Sequence, residues 1–422
     1  VNVKIIIVHN ADLCVTKNSM YKILSAFFLF LSTSVFSQTK NSYWQAFIHR
    51  ADGVTIPFSF KLEEKNKKTI LYIINDAEKI KVDNISFTKD SVFIKMPVFE
   101  SSFKARIVNG EWEGIWTKGT SANDQVLPFT AYKSIDSVLQ KATYNISGRW
   151  AVTFADDKTK ADASIAEFRQ IGHKVAGTFL TPSGDYRYLD GFIDGNKLRL
   201  STFDGAHAYF FTADIVNGKK IANGIFYAGA KGKDGWIAVK DANAKVLTDN
   251  VAMHLKPGEE KLDFHFPDLK GKDISINDKR FKNKVVVVQI MGSWCPNCMD
   301  ETAFLSNYYN KNKQHGFEAV AIAYEYSTDF NRSVKSLTKF QKRFNVQYPI
   351  LVTGVKVSDS LRTEKTLPQV TPIKVFPSSI IIDKHGKVRK FETDFFGPGT
   401  GAHYDAYKKE FYKTIDKLLK EK

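Results

Sequence analysis

Val285-Val286-Val287-Val288-Gln289-Ile290-Met291-Gly292-Ser293-Trp294-Cys295-Pro296-Asn297-Cys298 decides the reading of this chain. A β-branched run ends in a small-residue turn, two thiols follow at Cys-x-x-Cys spacing, and the helix-like stretch Met299 to Lys313 comes next. The pattern predicts a buried strand handing over to a helix, with both thiols at the junction. Only the ionised sulfur of a cysteine attacks a disulfide, and a helix N-terminus favours an anion through its unpaired N–H groups and positive dipole end. Pro296 suits the first helical position, where its missing N–H is no loss and its φ is already helical. Cys295 is then the cap residue and attacking thiol. Cys298, on the same helix face, is the resolving thiol.

Two plainer explanations of the pair compete with redox chemistry. A zinc site normally needs a second pair of Cys or His ligands; the only other cysteine is Cys14 and the nine histidines are scattered singly, so no metal is expected. A structural disulfide would need neither the preceding Trp294 nor a strand-to-helix junction. The pair itself, as a redox-active disulfide Cys295–Cys298, is the expected reactive group, with no bound cofactor.

At 422 residues the chain is long enough for two or three domains. Its formal charge of +16 is spread along the whole length, the mark of a solvated surface. With no arginine-rich block, zinc finger or aromatic-basic signature, nucleic acid is not an expected partner. From Met20, Tyr21-Lys22 leads into the apolar run Ile23 to Leu31 and then small residues up to Ser37, which describes a secretory signal with cleavage after Ser37. The run is short for a membrane span, which makes an uncleaved anchor the weaker alternative. Residues 1–37 therefore read as an upstream extension plus signal peptide, which would leave Cys295 and Cys298 as the only cysteines of an exported protein of the periplasm or cell envelope.

Between the signal and the cysteine pair the pattern is all β. Short runs such as Val54 to Phe60, Thr69 to Ile74, Ser91 to Met96, Lys197 to Ser201 and Ala208 to Ile215 are separated by turn dipeptides such as Asn109-Gly110 and Asn217-Gly218. Trp44 and Trp150, and these two Asn-Gly turns, recur about 106 to 108 residues apart, predicting two copies of one β unit over 40–140 and 141–245. The copies are two small sandwiches or the two halves of one barrel. Their aromatic residues, among them Tyr43, Trp44, Trp112, Trp116, Tyr209, Phe210, Phe211 and Trp236, read as core in preference to a ligand cleft. His173 and His207 are isolated in sequence. After the linker-like Lys256-Pro257-Gly258-Glu259-Glu260, strands and helices alternate over 257–422, predicting an α/β domain with a mixed sheet.

This last region resembles thioredoxin-fold domains of the extracytoplasmic TlpA/ResA type. The resemblance rests on the strand and Trp294-Cys295-Pro296-Asn297-Cys298 block, the lead-in Phe264 to Lys272, the segment Phe376-Pro377-Ser378 to Val388, and Glu301 three residues after Cys298. The chain departs from the family by carrying Ala303 where a proline often follows the glutamate. The resemblance implies a thioredoxin-like fold and a cis Pro377 facing the cysteine pair, with Phe376 offering backbone hydrogen bonds to a substrate. Trp294 and Pro296 complete that substrate surface. Pro372 is the alternative cis residue. Glu301, one turn beyond Cys298, is implied as the group that takes up the resolving thiol's proton, against the plainer reading of a solvated first-turn acid. Gln289 stands where cytoplasmic thioredoxins carry a buried aspartate, and a Gln cannot exchange a proton.

The expected whole is multi-domain, a duplicated all-β N-terminal region followed by an α/β thioredoxin-like domain. It is an exported disulfide reductase working through a mixed disulfide on protein or small disulfide substrates, re-reduced by a membrane-associated redox partner. The alternatives are an envelope ligand-binding protein with an accessory thioredoxin-like domain, or a peroxiredoxin-like peroxidase. Against the peroxidase, Gly292 stands where that family expects a threonine.

Overall fold

In the computed structural model, which describes residues 41–120, 123–134, 139–155 and 164–421, the run Val285–Met291 is buried at all seven positions. It forms the middle strand of a five-stranded sheet ordered Ile350–Val352, Phe317–Ala323, Val285–Met291, Ser378–Ile382, Val388–Glu392. The first three strands are parallel and the last two antiparallel. A strand with both faces covered has no polar side to show, hence a continuous rather than alternating apolar run. Val285, Val287 and Met291 pack with Phe304 and Leu305 of helix α1 (Pro296–Asn312), Leu337 and Phe340 of α2 (Phe330–Phe344), and Phe411 and Ile415 of the closing helix, Ala402–Lys420. Val286, Val288 and Ile290 instead meet Phe264, Ile274, Phe281, Leu367 and Val370. A short helix, Arg362–Thr366, was not legible in the sequence, being too brief to show a periodicity.

The β region forms two antiparallel sheets. The first, over 41–133, has nine strands among the described residues, and its first strand, Asn41–His49, pairs with the second, Thr55–Lys65, and with the last, Gln125–Lys133. In the second, over 148–240, Gly148–Phe154 pairs likewise with its own last strand, Gly232–Lys240, and the pairing of Ser164–Ile171 with Lys174–Thr181 closes the sheet into a barrel. The shared-barrel alternative does not hold. Because each unit's last strand returns to its own first strand, each completes a sheet of its own, which leaves no half-barrel to be shared. The aromatic residues are mostly core, with Trp44, Trp112, Trp116, Phe211 and Trp236 buried, while Tyr43 is exposed.

The three parts are packed together. Phe203 and Ala208 of the second sheet join the first sheet's core, where Phe203 lies 4.2 Å from Phe58 between ring centroids. Val98, Phe99 and Ala206 join the core of the C-terminal domain. Residues 1–37, and with them Cys14 and the signal, lie outside the described residues. Among the described residues no helix is long and apolar enough to cross a membrane.

Candidate active site

Cys295 caps α1 with extended backbone, φ −93° and ψ 120°, and its sulfur accepts the Cys298 N–H at 3.1 Å, with Pro296 in the first helical turn. That N–H is one of the orphan donors of a helix start, so the cap places a hydrogen bond and the dipole's positive end on the sulfur that must carry charge. The two sulfurs are joined as a disulfide, with 5.2 Å between the Cα atoms. Cys295 is 3% exposed and Cys298 fully buried, so the first sulfur is the one nearer solvent.

Register brings the second loop to the pair. Ile290 of the central strand faces Ser378, so the residues just before Ser378 arrive beside the residues just after Met291. The Phe376–Pro377 bond there is cis, the only cis bond among the described residues, and the Phe376 carbonyl oxygen lies 3.5 Å from Cys295 Sγ. Trp294 stacks on Tyr326 at 5.5 Å, meets Phe376 edge-on, and donates its indole N–H to the Tyr324 carbonyl at 2.7 Å. A side chain at Gly292 would collide with this indole, a reason for glycine in the turn.

Glu301 is not a solvated helix residue: it is 1% exposed. Gln289 Nε2 donates to one of its oxygens at 2.8 Å, and Ser379 and Tyr407 donate to the other at 2.9 and 3.3 Å. Burial pushes its carboxyl up to about 7, against these hydrogen bonds, which favour the ionised form. Two further buried acids, not singled out from the sequence, flank the pair. Glu325 accepts both the N–H and the hydroxyl of Ser293, at 2.7 and 2.6 Å, and burial raises it to about 7. Asp300 is also raised to about 7 by burial, which outweighs its pairing with Arg187.

The β region supplies the opposite wall. Asp185, buried, accepts the Asn297 side-chain N–H at 2.9 Å and the Gly397 N–H at 2.7 Å, and burial raises its pKa despite them. Arg187 ties three parts together, with Nη2 2.5 Å from Glu78 of the first sheet and Nε 2.9 Å from Asp300 of α1. Asp204 accepts the His207 ring at 2.9 Å; burial would raise it, but His207 and Arg187 hold it down at about 2. Asp185, Arg187, Asp204, His207 and Tyr209 line one cavity of about 220 Å³ with Trp294, Cys295, Pro296, Asn297 and Phe376. This wall was not legible in the sequence, since its residues lie about a hundred positions from the cysteines. Its one local trace was Asp204 and His207, three apart in a turn between strands. Among the described residues no cluster of three His, Cys, Asp or Glu is arranged to hold a metal ion.

Comparison with known proteins bears on the C-terminal domain. The family described as Redoxin matches residues 256–407. "Thiol-disulfide oxidoreductase ResA" of Bacillus thuringiensis subsp. konkukian is 30% identical over 131 residues, which cover 31% of this chain and 66% of that protein, just under two thirds of its length. The Bacillus subtilis protein of the same name is 26% identical over 139 residues, 33% of this chain and 68% of that one. A solved thiol-disulfide oxidoreductase from Bacteroides fragilis aligns at 22% identity and a TM-score of 0.27, over 36% of this chain and 99% of that one. The C-terminal domain of this chain thus matches the Redoxin family and, with its capped Cys-x-x-Cys junction, is similar to the TlpA/ResA-like thiol-disulfide oxidoreductases.

Proposed function

We propose that the chain is an exported disulfide reductase. Cys295 attacks a substrate disulfide, a mixed disulfide forms on Cys295, and Cys298 displaces the second substrate thiol, leaving the protein oxidised. The observation that carries this is the Cys298 N–H on Cys295 Sγ at the start of α1, which favours the thiolate at Cys295 over Cys298. Glu301, one turn on from Cys298 and titrating close to neutrality, is the group to take the proton that the resolving thiol loses. Trp294, Pro296, Phe376 and Pro377 form the surface against which substrate sulfur is presented. The oxidised pair is returned to the dithiol by a membrane-associated reductant. Export rests on the Met20 to Ser37 signal pattern, and the reducing direction on the family resemblance. The two β units are read as copies of one ancestral unit, supported by Trp44 and Trp150 standing opposite Lys133 and Lys240 of their last strands.

The test is a Cys298→Ser trap. It should leave a covalent partner on Cys295, released by dithiothreitol. Absence of any mixed disulfide, with no disulfide reduction by the wild-type protein, would defeat the proposal.

A further inference from the structure

The attacking sulfur sits in a walled recess. Cys295 is 3% exposed, and the β region, through Asp185, Arg187, Asp204 and His207, closes over the face that a substrate must use. The wall is fixed by buried polar contacts rather than laid on loosely. Asp185 holds Asn297, the residue between the two cysteines next to Cys298, and Arg187 bridges Asp300 and Glu78. Backbones approach closely there: a Cβ on Gly184 would come within 3.0 Å of the Asn297 side chain, and one on Gly399 within 2.8 Å of the Arg187 backbone. Separating such a seam strands buried charges without partners, which is strongly unfavourable.

The remaining space is about 220 Å³, at the small end for a ligand pocket. A disulfide in a folded protein is flanked by two backbones with Cα atoms roughly 5.5–6 Å apart, so both chains must come to the nucleophile together. A low-molecular-weight disulfide brings only its own few atoms. We propose that the β region makes this a reductase of low-molecular-weight disulfides, the wall excluding folded protein substrates from Cys295. This rests on the dithiol reading above and narrows its substrate. In the reaction the Cys295 thiolate attacks one sulfur of RS–SR, forming Cys295–S–S–R and expelling RS⁻. Cys298 then attacks Cys295 Sγ and expels the second RS⁻. Two electrons and two protons pass from the protein dithiol to RS–SR, giving two RSH, and an external dithiol restores the pair.

The test uses the full chain, reduced and freed of reductant, with oxidation of Cys295–Cys298 followed against cystine and against insulin. Each insulin-to-cystine rate ratio is divided by that of free dithiothreitol, which removes the intrinsic reactivity of the two disulfides. The wild-type ratio should fall at least about tenfold below that of dithiothreitol, and Arg187→Ala, which unties the wall, should raise it at least about tenfold towards the free-dithiol value. A wild-type ratio equal to or above that of dithiothreitol overturns the inference while leaving the reductase reading intact. Oxidation by neither disulfide overturns both. If Arg187→Ala does not fold, the wild-type ratio decides alone; if it folds with the ratio unchanged, the wall is not what excludes protein.

Discussion

Replacing Glu301 by glutamine tests the buried acid on two separate readouts. The carboxyl moves from 4.5 to about 7 on folding, because burial penalises its charged form. A native-state pKa raised above the unfolded one stabilises the fold fully below the unfolded value, and that contribution is lost as pH rises through the folded value. At 1.36 kcal/mol per unit the wild-type protein loses about 3 kcal/mol from this group between about pH 4.5 and pH 8. Glu301→Gln has no such loss. It does bring an amide N–H₂ to a site where Gln289, Ser379 and Tyr407 all donate, a mismatch costing about 1–3 kcal/mol at every pH. The variant should therefore be the less stable protein near pH 5 and should draw level with, or pass, wild type near pH 8. Urea unfolding of the oxidised proteins across that range measures the difference directly, and comparing variant with wild type cancels the titration of Asp300 and Glu325. The second readout is the rate at which Cys298 resolves a mixed disulfide on Cys295. It should fall by a factor on the order of 10² in the variant and lose its inflection near neutrality. A stability difference that stays constant over this pH range, to within about 0.5 kcal/mol, would refute the raised pKa; an unchanged resolution profile would refute the proton-acceptor role.

Other perturbations probe the surrounding contacts. Ser293→Ala removes the hydroxyl that donates to Glu325 at 2.6 Å and should cost about 1–3 kcal/mol, more above neutral pH where the acid is ionised, as seen by thermal unfolding on either side of pH 7. Gly184→Ala places a Cβ against Asn297 at a residue with φ of +129° and should cost about 1–3 kcal/mol; a cost below about 0.5 kcal/mol would mean that the β wall is not seated as described. Glu100→Ala breaks the seam contacts to Arg332 and Ser336, at 2.9 and 2.5 Å. Glu100 and Arg332 are each about a third exposed, although Ser336 is buried, so about 1 kcal/mol is expected. The pKa of Glu100 is lowered, against the burial that would raise it, by Arg332 and Ser336, so the difference from wild type should be present above the carboxylate range and fade as pH falls through it.

What could be read from the chain followed the range of each interaction. The strand Val285–Met291, the cap at Cys295 and the start of α1 are set by neighbours within a few residues, and so were legible. The cis bond at Phe376–Pro377 was reached through resemblance, and the strand that starts directly after Pro377 favoured it over Pro372. Glu301 was found by its spacing from Cys298, but its burial was not, since that depends on Ser379 and Tyr407 arriving from distant elements. The wall of Asp185, Arg187, Asp204 and His207 was invisible for the same reason. In sequence these are turn residues of a β unit, and only the docking of two separately formed cores puts them beside a cysteine.

The bridge made by Arg187 also sets an order of assembly. Its partners, Glu78 and Asp300, lie on opposite sides of it in sequence, so a chain made from its N-terminus completes the first contact long before the second exists. Until the C-terminal domain arrives, both β sheets can finish their own hydrogen bonding, yet Phe99 and Ala206 have nothing to cover them. The dithiol, for its part, stays open to any disulfide in its surroundings until that same docking step. In the finished fold, the same docking covers these apolar residues and sets the β-region wall beside Cys295.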